Sequence, residues 1–200
     1  MSKFPAHLTS LLGFLRKWPG VGYKTAERYA FHLLNWSEHE LDQLSNLIRD
    51  IKKKILSCPD CHAFMEESGC HFCNLSLRDP SMLCVIASPK DLFALEETRA
   101  FKGIYYVLGS LLSPLQNRNP SLLGIDHLKE RISRLHVQEV IIALDSTLEG
   151  DATALYIKKE LDSLPLLKVS RLAFGLPMNS SFDFIDGGTL SKALTGRQRL

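Results

Sequence analysis

The chain has 200 residues, 45% of them hydrophobic, and a formal net charge of +2, which suits one domain with small additional modules. No apolar run reaches the roughly 18 residues of a membrane span, and the N-terminus MSKFPAHLTS lacks the form of a secretory signal. We therefore expect a soluble, globular, cytoplasmic protein whose thiols are kept reduced.

The first 57 residues are predicted to be helical and carry most of the positive charge. Apolar residues recur at three- and four-residue steps within 8–15, 29–34 and 41–55, which predicts three helices. This segment has nine lysines and arginines against five acidic residues, whereas residues 58–200 have fifteen against seventeen. The asymmetry indicates an anionic partner for the first segment, although ordinary surfaces also carry fields of this size.

A glycine-rich turn separates the first two predicted helices. The stretch PGVGYKTAERYAFHLL resembles a helix–hairpin–helix, a motif whose backbone N–H groups and nearby cations bind phosphate. Lys24 and Arg28 lie one helical turn apart, and Arg16 and Lys17 precede the turn, so these four residues are candidate DNA contacts. An ordinary helical hairpin with solvated cations is the alternative.

Four of the five cysteines lie in CPDCHAFMEESGCHFC, which has the spacing CxxC-x8-CxxC. Each short spacer lets two thiolates converge on one ion, so Cys58, Cys61, Cys70 and Cys73 are predicted to form a closed tetrahedral zinc site. Such a site leaves no position for a substrate, and the metal is therefore expected to be structural.

Other interpretations of the cysteine cluster remain open. An iron–sulfur cluster also suits four thiolates, and a thioredoxin-like redox pair uses CxxC, although it normally follows a strand of an α/β unit. His62 and His71 each adjoin a cysteine and are expected to be exposed side chains rather than ligands. Cys84 lies in an apolar run and is expected to be a small buried side chain.

Beyond Leu83 the pattern changes to short apolar runs separated by helix-like segments. The runs cover 83–87, 104–109, 139–145 and 168–173. Ser88 and Pro89 mark the start of one helix, and two more are predicted at about 125–135 and 151–163. This alternation predicts a mostly parallel sheet with helices on both faces.

Four acidic residues, Asp91, Asp145, Glu149 and Asp151, fall just beyond predicted strand ends. Carboxylates clustered at this edge of a sheet could hold Mg²⁺ for phosphoryl transfer. Acidic residues in a first helical turn are also favoured simply by the helix dipole. The motifs GxxxxGK[ST], GxSxG and HExxH are absent from the sequence, so ATP hydrolysis is unsupported.

The order of these segments resembles the bacterial RecR family of recombination mediators along essentially the whole chain. The resemblance rests on the glycine turn, the four-cysteine module and four further stretches: RDPSMLCVIASPKDLFALEET, YYVLGSLLSP, EVIIALDSTLEGDATALYI and SRLAFGLPMNSSFDFIDGGTLSKALTGR. It implies an α+β multi-module fold: a helix–hairpin–helix region (1–56), a C4 zinc finger (57–80), an α/β Toprim domain (81–175) and a C-terminal tail (176–200).

The resemblance also implies a function. Family members are non-catalytic DNA-binding proteins that form ring-like oligomers, here expected as a tetramer, and act with RecO and RecF to load RecA on gapped single-stranded DNA. It places DNA contacts on Lys24 and Arg28 and zinc on the four paired cysteines. A Mg²⁺-dependent Toprim-type nuclease or primase-like enzyme is the alternative function, and an adaptor that binds only proteins is a third.

The sequence departs from the family pattern at one residue and in one loop. Relatives typically have VVESPxD where this chain has Val85 to Asp91, so Ala87 replaces the expected Toprim glutamate. A methyl group cannot bind Mg²⁺ or transfer a proton, which argues against catalysis. Relatives also have SPLDGIGP where this chain has SPLQNRNP at 113–120, and the lost glycines are expected to stiffen that loop.

Overall fold

The structure is a computed structural model that describes residues 3–113 and 120–197, except for the side chain of residue 122. The chain divides into two compact units, Met1–Ile55 and Leu56–Leu200. Within the described ranges, no helix combines the length and apolar character needed to cross a membrane. The substituted loop positions 116–119 lie outside the described residues.

The first unit contains the three predicted helices, α1 (Ala6–Leu15), α2 (Tyr23–Leu33) and α3 (Glu38–Lys54). Its small core joins Leu12 and Leu15 of α1 to Ala26 and Ala30 of α2. Both alanines are fully buried, because their short side chains let the two helices approach closely.

Helix α3 is the least buried element of the first unit. It begins with a capping box in which the Ser37 N–H donates to Glu40 Oε2 at 2.9 Å and the Glu40 N–H donates to Ser37 Oγ at 3.3 Å. None of its residues is buried, although one face is apolar. Leu47, Ile48 and Ile51 are more than half exposed, which leaves an unpaired hydrophobic stripe along the helix.

The second unit is α/β. Its elements are β1 (Leu56–Ser57), β2 (Phe64–Met65), β3 (Asp79–Ile86), α4 (Pro89–Glu97), β4 (Gly103–Val107), α5 (Ile125–Leu135), β5 (Glu139–Ala143), α6 (Leu148–Leu161), β6 (Lys168–Arg171) and α7 (Gly187–Thr195). Strands β1 and β2 form an antiparallel hairpin. The other four form one sheet in the order β4-β3-β5-β6, and every pair is parallel, which confirms the predicted sheet.

The sheet is covered on both faces, as the continuous apolar runs of its strands require. One face packs Leu83, Tyr106 and Val140 against the apolar sides of α5 and α6. On the opposite face Cys84 and Tyr105 pack with Leu92 of α4 and with the four-cysteine module. The prediction of helices on both faces is confirmed, and Cys84 is buried as expected. The sequence did not predict that the cysteine module covers part of the second face.

Local signals define the starts of the helices that follow strands. The Ser88 N–H donates to Asp91 Oδ2 at 2.8 Å at the start of α4, where Pro89 is the first helical residue. Helix α6 begins at Leu148, three residues earlier than predicted, because Thr147 caps it by accepting the Gly150 N–H at 3.1 Å.

A buried ion pair joins the segment after the cysteine module to the sheet. The Arg78 guanidinium, 7% exposed, binds Glu96 of α4 through two hydrogen bonds of 2.7 and 2.6 Å. The Tyr105 hydroxyl of β4 donates to the same carboxylate at 2.6 Å. The hydrogen bonds from Arg78, opposed by partial burial, hold the pKa of Glu96 below its usual value.

We predict that Glu96→Gln lowers the free energy of unfolding by about 1–3 kcal/mol at pH 7, because Arg78 then keeps a buried charge without its counterion. A carboxylate with a lowered pKa stabilises the fold above its unfolded pKa, near 4.3, and this contribution is lost as pH falls through the folded value. Urea unfolding across this range should therefore show the difference between wild type and variant shrinking in acid. The exposed neighbour Glu97 gives the control, Glu97→Gln, which should change stability by under about 0.5 kcal/mol. A constant difference down to strongly acidic pH would contradict the assignment.

Candidate metal centre and nucleic-acid interface

The first cysteine pair is held by a tight turn that follows β1. The His62 N–H donates to Cys58 O and the Cys58 N–H donates to Ala63 O, both at 2.9 Å. His62 adopts a positive φ of 59°, which reverses the chain into β2. These constraints hold both cysteines of the pair in the turn between β1 and β2.

A second turn brings the other pair opposite the first. Beyond β2, Gly69 has a φ of 114° and its N–H donates to Glu66 O at 3.0 Å, a conformation that suits glycine. A 3-10 turn over His71–Cys73 then closes the module, with the Cys73 N–H donating to Cys70 O at 3.3 Å. The eight residues between the pairs therefore bring the second cysteine pair next to the first.

The four sulfur atoms form a compact group. The Sγ atoms of Cys58 and Cys73 are 3.8 Å apart, those of Cys61 and Cys70 are 3.5 Å apart, and all four lie within 4.8 Å of one another. These separations exclude disulfides, and all the cysteines are free. Tetrahedral coordination with Zn–S bonds of about 2.3 Å places sulfurs roughly 3.8 Å apart, so this donor set fits such an ion.

The surroundings of the sulfurs differ. A hydrogen bond with Cys61, opposed by burial and aided by the positive charge of Arg131, lowers the pKa of the Cys73 thiol to about 5. Burial raises the pKa of Cys70 to about 11. The thiolate form is therefore favoured at Cys73 before any ion binds, whereas Cys70 favours the neutral thiol until a cation offsets the cost of burying its charge.

The module is joined to the sheet by its backbone as well as its side chains. The Val107 N–H of edge strand β4 donates to Cys61 O at 2.9 Å, and the Phe72 ring packs edge-on against Tyr105 at 6.0 Å. His71 is exposed as expected, but the same expectation for His62 was wrong. His62 is partly buried because its Nδ1 pairs with Val107 O at 3.0 Å and its ring stacks on His127 at 5.3 Å.

The glycine turn before α2 has the geometry of a type II β-turn. The Val21 N–H donates to Trp18 O at 3.1 Å, Pro19 occupies the second position, and Gly20 has a φ of 76°. Gly22 is the N-cap of α2, and no side chain in the described structure caps this end. The first N–H groups of α2, which have no acceptors within the helix, are therefore left without a side-chain acceptor as well.

The candidate DNA contacts lie around this turn. Lys24 and Arg28 are both exposed on α2, and Arg16 is exposed at the end of α1. Lys17 is also exposed and extends over the Phe14 ring at 4.5 Å. Within the described ranges none of the four forms an ion pair with an acidic side chain, so their charges are available to an anion.

The acidic residues do not assemble into a comparable site. Among the described residues, the four paired cysteines are the one group of three or more potential ligands close enough to share an ion. Asp91 instead caps α4, and Asp151 binds Arg171 at 2.6 Å. Ala87, which directly follows β3, packs against the hydrophobic core.

The C-terminal tail occupies this end of the sheet, which sequence reasoning missed. Lys192 of α7 donates to Ser146 Oγ at 2.7 Å and lies 3.4 Å from Asp151 Oδ2. The Phe174 ring lies 4.2 Å from the Lys192 ammonium and 4.6 Å from the Arg171 guanidinium. The two cations therefore surround Asp151 and stabilise its carboxylate, and the hydrogen bond from Arg171 is the main reason for its lowered pKa.

A second residue that sequence reasoning missed is Arg131, whose Nη2 lies 3.2 Å from Cys73 Sγ. A signal was available in the helical pattern of α5. Arg131 follows Leu128 by three residues and precedes Ile132, which places a cation on the buried side of an amphipathic helix.

Three parts of the chain match models of known protein families. Residues 8–52 match the RecR helix-hairpin-helix family, residues 81–173 the Toprim domain family, and residues 175–198 the RecR C-terminal family. Recombination protein RecR of Protochlamydia amoebophila is 53% identical over 197 residues, which cover 98% of this chain and 99% of that protein. The chain belongs to the RecR family. The RecR proteins of Chlamydia felis and Chlamydia muridarum are 49% and 46% identical, each over 98% of both chains. The RecR fold described here thus joins a helix–hairpin–helix, a four-cysteine module and a parallel Toprim sheet.

We predict that Cys61→Ser abolishes metal binding, because replacing a fully buried sulfur leaves three thiolates that cannot close a tetrahedral shell. Metal content per chain, measured by mass spectrometry after dialysis against a weak chelator, should fall from one to near zero. Cys84→Ala removes a buried cysteine of β3 that lies outside the cluster and should keep the full metal content. Equal metal loss in both variants would show that general unfolding, rather than ligand loss, is responsible.

Proposed function

We propose that this protein is a non-catalytic DNA-binding recombination mediator of DNA repair that acts in the cytoplasm. The observation that carries the proposal is the uncapped start of α2, flanked by exposed Lys24 and Arg28, in a chain of the RecR family. A phosphate at this position would accept hydrogen bonds from backbone N–H groups and lie near two cations that are one helical turn apart. Arg16 and Lys17 would bind neighbouring phosphates from the opposite side of the turn.

Contacts of this kind recognise the sugar-phosphate backbone and not the base sequence. They therefore suit a protein that must act wherever a gap occurs, on single-stranded, duplex or gapped DNA. Together with the RecR relatives, this supports a role in which the protein works with RecO and RecF to promote RecA loading on gapped single-stranded DNA. The proposed role requires binding without cleavage, in agreement with the packed methyl group of Ala87 and the ion-paired Asp151.

We propose zinc as the ion of the four-cysteine cluster, bound by Cys58, Cys61, Cys70 and Cys73. Four thiolates in a closed tetrahedron suit zinc and leave no open position for a substrate. The ion would supply structural cross-linking of the two knuckles. Because the module covers part of the sheet and pairs with β4, its order would extend to the Toprim domain. As module boundaries we propose 1–56, 57–80, 81–175 and 176–200.

We also propose that the chain forms a homo-oligomer, specifically a ring-like tetramer. One small hairpin offers few phosphate contacts, whereas several hairpins on one ring raise avidity by about 10²–10⁴ if DNA reaches them together. The exposed apolar stripe of α3 supports self-association, because Leu47, Ile48 and Ile51 are each 53–71% exposed.

We predict that Lys24→Ala and Arg28→Ala weaken DNA binding and reduce its salt dependence. Each lost phosphate contact on duplex DNA should make the negative slope of log affinity against log salt shallower by about 0.9. Fluorescence anisotropy with gapped, duplex and single-stranded DNA at several salt concentrations measures this slope. The control is Lys158→Ala, which removes a cation of α6 that already pairs with Asp162. Slopes equal to wild type in both hairpin variants would exclude the α2 turn from the DNA site.

We predict that Ile51→Asp shifts the protein from its oligomer to smaller species, because a buried carboxylate at an apolar interface is strongly unfavourable. Light scattering coupled to gel filtration measures the mass. Lys53→Asp places the same carboxylate at an exposed residue about 200° around α3 from Ile51 and should leave the mass unchanged. DNA affinity of the Ile51→Asp protein should fall by at least about 10², since avidity is lost. An unchanged mass in both variants would remove the α3 stripe from the interface.

A further inference from the structure

Arg131 is a buried cation at the boundary between the cysteine module and α5. Its side chain is 2% exposed. Nη2 donates to Cys73 Sγ at 3.2 Å, Nη1 lies 3.8 Å from Asp60 Oδ1, and Nε has no hydrogen-bond partner among the described residues. A guanidinium keeps its proton under all ordinary conditions, so this position carries a permanent positive charge.

Such a charge requires a counterion, because burial of an uncompensated ion costs several kcal/mol. Asp60 is a weak candidate for this task. Its side chain is 43% exposed, where water screens the interaction, and it binds Arg134 more closely, at 2.5 Å. The sulfur of Cys73 is therefore the nearest partner for the Arg131 charge.

A metal–thiolate centre would balance the buried guanidinium. A divalent ion with four thiolates carries two net negative charges, spread over the sulfurs. The donor of Arg131 thus points, at 3.2 Å, at a sulfur of a centre that would be strongly negative with its metal bound. The metal–thiolate centre would supply the negative counter-charge that the buried Arg131 guanidinium needs.

We propose that Arg131 is an outer-sphere positioning residue of the metal–thiolate centre. Its N–H donates to the Cys73 thiolate and offsets part of the negative charge, so that metal retention is coupled to docking of the cysteine module on α5. This inference rests on the proposal that the four cysteines hold zinc. Asp60 supports the same docking, because it joins the first knuckle to Arg131 and Arg134, while Cys73 joins the second knuckle to Arg131.

The proposal has two measurable consequences. Outer-shell partners of metal ligands typically change metal affinity by about 10- to 100-fold. Loss of the Arg131 charge should therefore speed metal release, because the thiolate then has no cation to offset its charge. Loss of the N–H donor should also raise the energy of the sulfur electrons, which moves the thiolate-to-metal charge-transfer absorption of a Co²⁺-substituted centre to longer wavelength.

The test compares Arg131→Gln, Arg131→Lys and Arg134→Gln in the full chain. Lysine keeps the charge and glutamine does not, while Arg134 shares Asp60 as a partner and has no contact with a cysteine among its described interactions. Zinc transfer to an excess of a chromogenic chelator is followed over time, and Co²⁺-loaded proteins are compared by absorption. Circular dichroism and thermal unfolding report folding of each variant.

We expect Arg131→Gln to release zinc at least about 10-fold faster than wild type and to shift the Co²⁺ charge-transfer band to longer wavelength. Arg131→Lys should release zinc more slowly than Arg131→Gln, and Arg134→Gln should stay within about threefold of wild type. Should Arg131→Gln fail to fold, the Co²⁺ band and zinc release of Arg131→Lys decide: weaker donation by its single ammonium should give a smaller shift and rate change in the same directions.

Distinct outcomes separate this inference from the zinc proposal. Metal-free wild-type protein would overturn both. A metal-loaded wild type whose release rate and Co²⁺ band match those of Arg131→Gln would overturn the role of Arg131 alone. Equal effects of Arg131→Gln and Arg134→Gln would assign the effect to Asp60 and would also overturn the role of Arg131. If Arg131→Gln does not fold, an Arg131→Lys protein that matches wild type in both zinc release and the Co²⁺ band would overturn it too.

Discussion

The gathering of four thiols beside a parallel sheet is the interaction on which the α/β unit depends. The sulfurs lie within 4.8 Å of one another, and the module that carries them also supplies part of the sheet's second core layer. The Val107–Cys61 backbone hydrogen bond extends this support to the edge of the sheet. A shell of thiolates is self-repelling without a cation, so the same ion that closes the knuckles would also secure the packing of Tyr105 and Phe72.

Recognition of DNA is proposed for a different part of the chain, and its physics is different. The α2 turn offers backbone N–H groups and exposed cations, which act through charge and need little burial. Each such contact is weak, and useful affinity would come from repetition around an oligomer. The exposed stripe of α3 is consistent with that arrangement, because an isolated chain leaves it in water.

The carboxyl end of the Toprim sheet illustrates how a familiar catalytic position can be used for structure. Asp91 caps a helix, Asp151 binds Arg171 and Lys192, and Ala87 packs against the core. Lys192 of the tail helix α7 thereby contacts Ser146 in the β5–α6 connection and the carboxylate of Asp151, which could otherwise bind a metal ion. This arrangement supports the proposed non-catalytic role.

Much of this organisation follows from local sequence. Helical periodicity predicted α1, α2 and α3, apolar runs predicted the four parallel strands, and cysteine spacing predicted the sulfur cluster, because each signal reports constraints among residues close in the chain. Tertiary structure alone decided which distant groups meet. The burial of His62 against Val107, the contact of Arg131 with Cys73 and the ion pairs of Asp151 join residues 20 to 58 positions apart. Such contacts depend on how the sheet, the module and the tail pack together, and no short-range pattern encodes that packing.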